Sequence, residues 1–120
     1  SHFHVGAAAL LADGLIFAGS NQENAAYPSG LCAERTTLFA ANANHPNTPV
    51  VALAIACYTN GHFTKDAASP CGACRQVMLE TEQRFDKPMK VILYGEEMCY
   101  IFNSAAALLP LNFVAESLKG

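Results

Sequence analysis

The sequence lacks several features that would each point to a special class of protein. Its longest apolar run, residues 50–58, is far short of the roughly 20 residues that a membrane-spanning helix needs, so no membrane partner is expected. It has no cluster of basic residues, and 7 Lys and Arg against 10 Asp and Glu give a formal net charge of -3. A surface for polymeric nucleic acid is therefore not expected. Only 14% of the residues are charged and 52% are hydrophobic, which excludes a disordered tail.

The chain also lacks repeats, linkers and the basic and apolar regions of a secretory signal. Its 120 residues fit one domain, residues 1–120. A small domain with so apolar a composition exposes part of its apolar surface, so we expect partner subunits to cover some of it. The five cysteines are an odd number for a disulfide framework. We therefore expect a cytoplasmic protein, in which clustered cysteines are more often metal ligands or catalytic thiols.

Strand and helix patterns alternate along the chain, which predicts an α/β layered sheet. Asp13-Gly14 between apolar runs predicts a hairpin, and the apolar run 50–58 predicts a central strand buried on both faces. Ser69-Pro70 predicts the start of a helix. The predicted elements are strands 5–11 and 15–18, a loop 21–30, a helix 31–43, a strand 50–58, a helix from 69 to about 86, strands 89–94 and 98–102, and a helical turn 105–109.

Cys71 and Cys74 stand at i and i+3 at the start of a predicted helix, so their thiols share one face. The free N–H groups and the positive dipole of a helix start favour thiolate over thiol, which is the form that zinc binds. Thioredoxin-like redox pairs have the same spacing. The pair by itself therefore leaves a metal role and a redox role open.

Cys32 offers a third thiol, also at the predicted start of a helix. Three cysteine ligands leave the fourth tetrahedral position for water, which is the coordination of a catalytic zinc site. Glu34 can approach the same space, because the backbone at a helix start is not yet regular, and a carboxylate that is not a ligand can move protons. A closed structural zinc site is the alternative. His62 is the nearest candidate for its fourth ligand, and Glu34 would then have no role.

The order C-A-E followed by P-C-x-x-C is the zinc-deaminase signature. Over nearly its whole length the sequence resembles the cytidine deaminase family. The matching segments are VGAA at 5–8, NQENA at 21–25, YP at 27–28, CAERT at 32–36, PCGACRQ at 70–76 and LLP at 108–110. The resemblance implies a three-layer α/β/α sandwich around a mixed five-stranded sheet. It also implies hydrolytic deamination of cytidine and 2′-deoxycytidine to uridine and 2′-deoxyuridine in pyrimidine salvage.

The resemblance implies a role for each matching residue. Cys32, Cys71 and Cys74 would bind one zinc ion per chain. Glu34 would take a proton from water at the metal and pass protons to N3 of the base and to the departing amine. The residues that would contact the nucleoside are Asn21 and Glu23 at the ribose 3′-hydroxyl, Phe3 against the base, the backbone N–H of Ala33 at O2, and Tyr27 and Phe113 in the pocket of a neighbouring subunit.

Three thiolates give a zinc site a net negative charge, which weakens its power to acidify water compared with a site that has a neutral histidine ligand. Arg35 matches the family arginine that hydrogen-bonds these thiolates, and Arg75 is its rival for this role. Such an arginine accompanies the three-cysteine branch of the family. The resemblance therefore implies a homotetramer with shared active sites. Cys57 and Cys99 lie in predicted strands, where a buried free cysteine packs as a small hydrophobe.

Three other functions remain as alternatives. Deamination of a cytosine-bearing antibiotic such as blasticidin S shares the chemistry, but Glu23 and Phe113 favour plain cytidine. Nucleic-acid editing needs a basic or aromatic strand-binding surface that the sequence does not show. A non-enzymatic, zinc-stabilised interaction domain is the third.

Family members usually carry a helix and a Tyr-rich loop before the segment that matches Ser1, and we expect this chain to lack them.

Overall fold

Five strands form the main path of a mixed sheet in the computed structural model, which describes residues 3–119. The strands are β1 (His4–Leu11), β2 (Ile16–Ser20), β3 (Val50–Thr59), β4 (His62–Phe63), β5 (Lys90–Tyr94) and β6 (Tyr100–Phe102). The order is β2-β1-β3-β5-β6, and the short β4 pairs with β3 beside this path. β3 and β5 are parallel and the other pairs are antiparallel. The α/β class and the mixed sheet expected from the sequence are confirmed. The expected absence of a helix before Ser1 lies outside the described residues.

Two α-helices of the described residues each begin directly after a cysteine. They are α1 (Ala33–Asn44), with Cys32 as N-cap, and α2 (Gly72–Phe85), with Cys71 as N-cap. The 3₁₀ segments are Tyr27–Ser29, Ala105–Leu108 and Ala115–Lys119. Between residues 3 and 119, none of the helices combines the length and the hydrophobicity needed to cross a membrane.

The hydrophobic core lies between the two α-helices and one face of the sheet. Leu53 and Ile55 of β3 point into it and form one buried cluster with Leu38 of α1 and Met78 of α2. α1 is fixed to the sheet by Thr37, which is fully buried and donates its hydroxyl to the carbonyl of Ala7 at 3.4 Å. Both helix starts lie near the carboxyl end of β3, since Cys32 and Cys71 line one cavity with Ile55 and Cys57.

The opposite face of the sheet is only partly covered. Along β3, Ala54 and Ala56 are half-buried and Tyr58 is 40% exposed. The expectation that this strand is buried on both faces is therefore wrong for the structure of residues 3–119. The reason is that both α-helices of these residues pack on the Leu53 side, and alanine is apolar enough to resemble a core residue in the sequence without being covered.

Several element boundaries differ from the prediction. α2 begins at Gly72 and not at residue 69, because the N-cap is Cys71, whose Sγ accepts a hydrogen bond from the Cys74 N–H at 3.5 Å. β4 and two of the 3₁₀ segments are too short to leave a periodic signal. Cys57 is buried in β3, as expected. Cys99 is exposed in the turn before β6, so its expected burial in a strand is wrong.

Candidate active site

Three thiols meet where α1 and α2 begin. The Sγ atoms of Cys32 and Cys71 are 3.8 Å apart, those of Cys71 and Cys74 are 3.4 Å apart, and all three lie within 4.8 Å of one another. Sulfur ligands about 2.3 Å from a tetrahedral zinc ion are separated by about 3.8 Å, so the cluster has the size of a zinc site. Among residues 3–119, no fourth His, Cys, Asp or Glu joins this group. His62 is exposed in β4, so the closed site considered for it is not formed.

The helix starts explain why these thiols converge. Cys32 and Cys71 both have an extended backbone, with φ near -70° and ψ of 155° and 168°, so neither belongs to the regular helix that follows. The first N–H groups of a helix have no partner within the helix, and the helix dipole is positive at this end. Two such ends face one cluster. They favour thiolate at the sites where a cation needs thiolate ligands.

The thiols differ in acidity because they share one small space. Burial raises the pKa of Cys71, but hydrogen bonds from the backbone N–H of Cys74 and from the neighbouring thiols outweigh it and lower that pKa overall. Burial also raises the pKa of Cys74, and its hydrogen bond with Cys71 and the charge of Glu34 raise it further. Three thiolates at these distances repel one another, and a divalent cation removes that repulsion. The donor set therefore fits zinc.

The two arginines that follow the ligands make different contacts. Arg35 donates from Nη2 to the Sγ of Cys32 at 3.6 Å, and hydrogen bonds to the thiolates of Cys32 and Cys74 raise its pKa. Arg75 donates to two backbone carbonyls, from Nε to Pro70 at 2.8 Å and from Nη1 to Leu108 at 3.0 Å. The guanidinium of Arg35 thus faces sulfur, and that of Arg75 faces the backbone.

A cavity of about 900 Å³ opens beside the thiols, which is a suitable size for a small-molecule ligand. Glu34 lies in the first turn of α1, lines the cavity and is 4% exposed. Other residues singled out from the sequence that also line it are Phe3, Asn21, Glu23, Tyr27, Cys32, Ala33, Arg35 and Cys71. Cys74 lies behind this wall and is fully buried. Phe113 is 58% exposed and is not among the lining residues of this cavity.

Asn21 joins the loop 21–30 to the start of β1. Its Oδ1 accepts a hydrogen bond from the Val5 N–H at 3.0 Å, and its own N–H donates to the Val5 carbonyl at 3.2 Å. These bonds hold the segment that begins with Phe3 at the rim of the cavity. Since the oxygen of the Asn21 amide is used in this way, the amide nitrogen is the group that can donate to a ligand.

The sequence did not assign Ile55, Cys57, Ala68 or Ser69 to the site, but all four also line the cavity. The first two are core residues whose side chains reach the cavity floor from β3. Ala68 and Ser69 belong to the loop before α2. Their closeness in sequence to Cys71 was the one signal that would have found them.

Three thiols at helix starts, with a buried carboxylate on the wall of an adjacent cavity, are the arrangement expected of a zinc-dependent hydrolytic site, in which three protein ligands would leave one position for water. Residues 1–87 match the family model for the cytidine and deoxycytidylate deaminase zinc-binding region. The chain therefore belongs to the cytidine and deoxycytidylate deaminase family.

Individual relatives agree with this assignment. The cytidine deaminase of Halalkalibacterium halodurans is 49% identical over 119 residues, which are 99% of this chain and 83% of that protein. The cytidine deaminase of Sporosarcina psychrophila is 48% identical over 119 residues, with 99% and 81% covered. The crystal structure of cytidine deaminase from Burkholderia pseudomallei superimposes with a TM-score of 0.76 at 40% identity, covering 92% of this chain and 82% of that one.

Proposed function

We propose that this protein is a zinc-dependent hydrolase that converts cytidine and 2′-deoxycytidine to uridine and 2′-deoxyuridine, as a step of pyrimidine salvage. The observation that carries the proposal is the position of Glu34. It is buried, it lines the same cavity as two of the thiols, and it does not belong to the thiol cluster. A zinc-stabilised interaction domain needs neither the cavity nor this carboxylate.

Glu34 is the group that moves protons in this proposal. When bound, zinc supplies Lewis-acid activation of a water molecule for attack on C4 of the pyrimidine. Glu34 takes a proton from that water and delivers it to N3. It then transfers the second proton to the exocyclic nitrogen, the C4–N bond breaks, and ammonia leaves. Burial of the carboxylate limits the access of bulk water to these protons.

The loop 21–30 and the start of α1 bind the nucleoside in this proposal. The amide nitrogen of Asn21 donates to a sugar hydroxyl, since its oxygen accepts from Val5, and Glu23 accepts from the same sugar. The N–H of Ala33 donates to pyrimidine O2, because the first N–H groups of a helix have no partner within it. Phe3 packs against the base at the rim of the cavity.

Arg35 offsets the charge of the three thiolates in this proposal. Its hydrogen bond to Cys32 supports the assignment, and so does the engagement of Arg75 with two carbonyls. A guanidinium can donate to sulfur without losing its own charge. A water molecule bound there would then remain acidic enough for Glu34 to deprotonate.

The active sites are completed between subunits of a homotetramer in this proposal. Tyr27 is 88% exposed and Phe113 is 58% exposed, and large apolar side chains in that state are typical of a surface that meets a partner. Gln76 donates to the Phe113 carbonyl at 2.8 Å, which holds this residue in a fixed place on the surface. Phe113 is then available to cover the base in an adjacent subunit, and Tyr27 to reach the sugar pocket of a neighbour.

Ammonia release from a panel of substrates tests the proposed function. The panel contains cytidine, 2′-deoxycytidine, CMP, blasticidin S and a cytosine-containing oligonucleotide, each incubated with zinc-loaded protein. We expect turnover of the two nucleosides and little of the other three. Turnover of the antibiotic or the oligonucleotide alone would assign a different substrate, and no turnover by folded, zinc-loaded protein would contradict the enzymatic role.

A further inference from the structure

A series of hydrogen bonds connects the C-terminal half of α2 with the metal-ligand loop at its N-terminus. It begins at Glu82, passes through the 3₁₀ segment Ala105–Leu108, and reaches Pro70 through Arg75. None of these residues belongs to the thiol cluster. The series nevertheless ends one residue before the ligand Cys71.

Glu82 is the anchor of this series. Its side chain is buried, and its carboxylate accepts hydrogen bonds from four neutral donors. Oε1 accepts from the Ser104 hydroxyl at 2.7 Å and the Ala106 N–H at 3.3 Å, and Oε2 accepts from the N–H groups of Met89 and Ala105 at 2.7 and 2.8 Å. Hydrogen bonds to a charged acceptor are the strong ones. The start of the 105–108 segment is therefore fixed to α2.

Arg75 continues the series from the other end of this segment. Its Nη1 donates to the Leu108 carbonyl and its Nε to the Pro70 carbonyl. Pro70 is the residue before the ligand Cys71, whose carbonyl accepts the first hydrogen bond of α2, from the Arg75 N–H at 3.0 Å, but whose own extended backbone lies outside the regular helix. The charge-assisted bond from Arg75 to the Pro70 carbonyl adds a restraint on the other side of Cys71, where the chain has not yet entered the helix.

We propose that Arg75 and Glu82 are positioning residues of the metal centre. Glu82 fixes the 105–108 segment, this segment fixes the guanidinium of Arg75, and Arg75 holds the Pro70 carbonyl and so the backbone of Cys71. Neither residue contacts sulfur in this arrangement. The inference depends on the three-thiol metal site and not on the reaction, so its test uses metal release and stands apart from nucleoside turnover.

Zinc release from the loaded protein to a colorimetric chelator tests the role of Arg75. In Arg75→Gln we expect release at least about tenfold faster, which is the effect typical of losing a residue that supports a metal ligand. The cobalt-substituted variant should show altered cobalt–thiolate absorption bands at temperatures where circular dichroism shows a folded protein. Arg84→Gln, which changes an exposed arginine in the last turn of the same helix, is the matched control and should behave as wild type.

The proposal would be overturned if Arg75→Gln lowers the melting temperature but leaves zinc release and the cobalt bands as in wild type. Arg75 would then stabilise the fold without positioning a metal ligand. Equal acceleration by Arg84→Gln would also overturn it. In that case the faster zinc release would come from the loss of a positive charge on α2 and not from the loss of the hydrogen bond to the Pro70 carbonyl.

The connection between the two residues is tested separately. Glu82→Gln replaces one carboxylate oxygen, which accepts from buried N–H groups, with an amide nitrogen that can only donate. The variant should speed zinc release by less than Arg75→Gln does, because Glu82 acts on the metal site only through the 105–108 segment. The double variant should release zinc no faster than Arg75→Gln alone. Independent, multiplying effects would contradict the series. If Glu82→Gln does not fold, Ser104→Ala removes one of the four donors and is combined with Arg75→Gln in the same way.

Discussion

Gly95 lies where the turn after β5 packs tightly against the loop that leads to Cys71. A Cβ atom at this glycine would lie 2.6 Å from the backbone nitrogen of Ala67, 2.6 Å from the carbonyl oxygen of Lys65 and 2.7 Å from that of Met98. All three are backbone atoms, so no side chain can rotate out of the way. Gly95→Ala therefore forces the two segments apart.

The size of this effect follows from the distances. Ordinary contact begins at 3.4 Å, so the backbone must move by about 0.8 Å. That movement stretches two hydrogen bonds of 3.0 Å, from Glu96 to Thr64 and from Glu97 to Lys65. Overpacking usually costs about 1–3 kcal/mol, and three backbone contacts place this substitution at the upper end. For a chain of this length we expect a melting temperature roughly 10 °C lower.

Thermal unfolding followed by circular dichroism measures the shift, with Gly72→Ala as the matched control. Both variants add one methyl group, but a Cβ at Gly72 meets nothing within 4 Å. Gly72 is also the first residue of α2, where alanine is the better helix former, so the control should melt at or above the wild-type temperature. If Gly95→Ala melts within about 2 °C of wild type, the close packing of turn against loop is refuted.

Three further predictions concern the thiols, the charge of the site and the assembly. With zinc bound, a thiol reagent should label the exposed Cys99 quickly and the buried Cys57 slowly, since burial raises the pKa of Cys57. Removal of zinc by a chelator should make the three cluster thiols reactive as well. Arg35→Gln should move the acidic limb of the pH–rate profile upward, because the water near three thiolates becomes harder to deprotonate; an unchanged limb would assign the charge role elsewhere. Mixing Glu34→Gln with Phe113→Ala under subunit exchange should restore activity, and a mixture that stays inactive despite proven exchange would return Phe113 to a packing role.

The starts of the helices could be predicted from the sequence because their causes are local. Cys32 follows a loop that ends at Gly30, and Cys71 follows Ser69-Pro70, so both places carried a start signal within a few residues. The convergence of the thiols follows once two such starts face each other. The sequence therefore predicted the cluster without showing how the sheet brings the starts together.

The spacing of the two arginines alone could not predict which one contacts the thiols, and only the family resemblance favoured Arg35. Arg35 stands three residues after Cys32 and Arg75 stands four residues after Cys71, and either spacing places a side chain on the face of the ligand. The two arginines differ because the Leu108 carbonyl accepts a hydrogen bond from Arg75, and Leu108 is 33 residues away along the chain.

Glu82 escaped prediction for the same reason. It belongs to no motif, and its donors lie 7 to 24 residues away, at Met89 just before β5 and in residues 104–106. A glutamate in a helix is normally expected on the solvent side. Only the fold shows that these donors surround it.

Glu34→Gln tests most directly whether a buried carboxylate moves protons beside a three-thiol zinc site. The substitution keeps the side-chain volume and removes the proton-transfer group. Zinc content and cytidine turnover are measured on the same preparations of variant and wild type. We predict one zinc ion per chain in both, as the single cluster in residues 3–119 requires, and turnover lower by several orders of magnitude in the variant. Near wild-type turnover by Glu34→Gln, or full activity in wild-type protein without zinc, would contradict the mechanism.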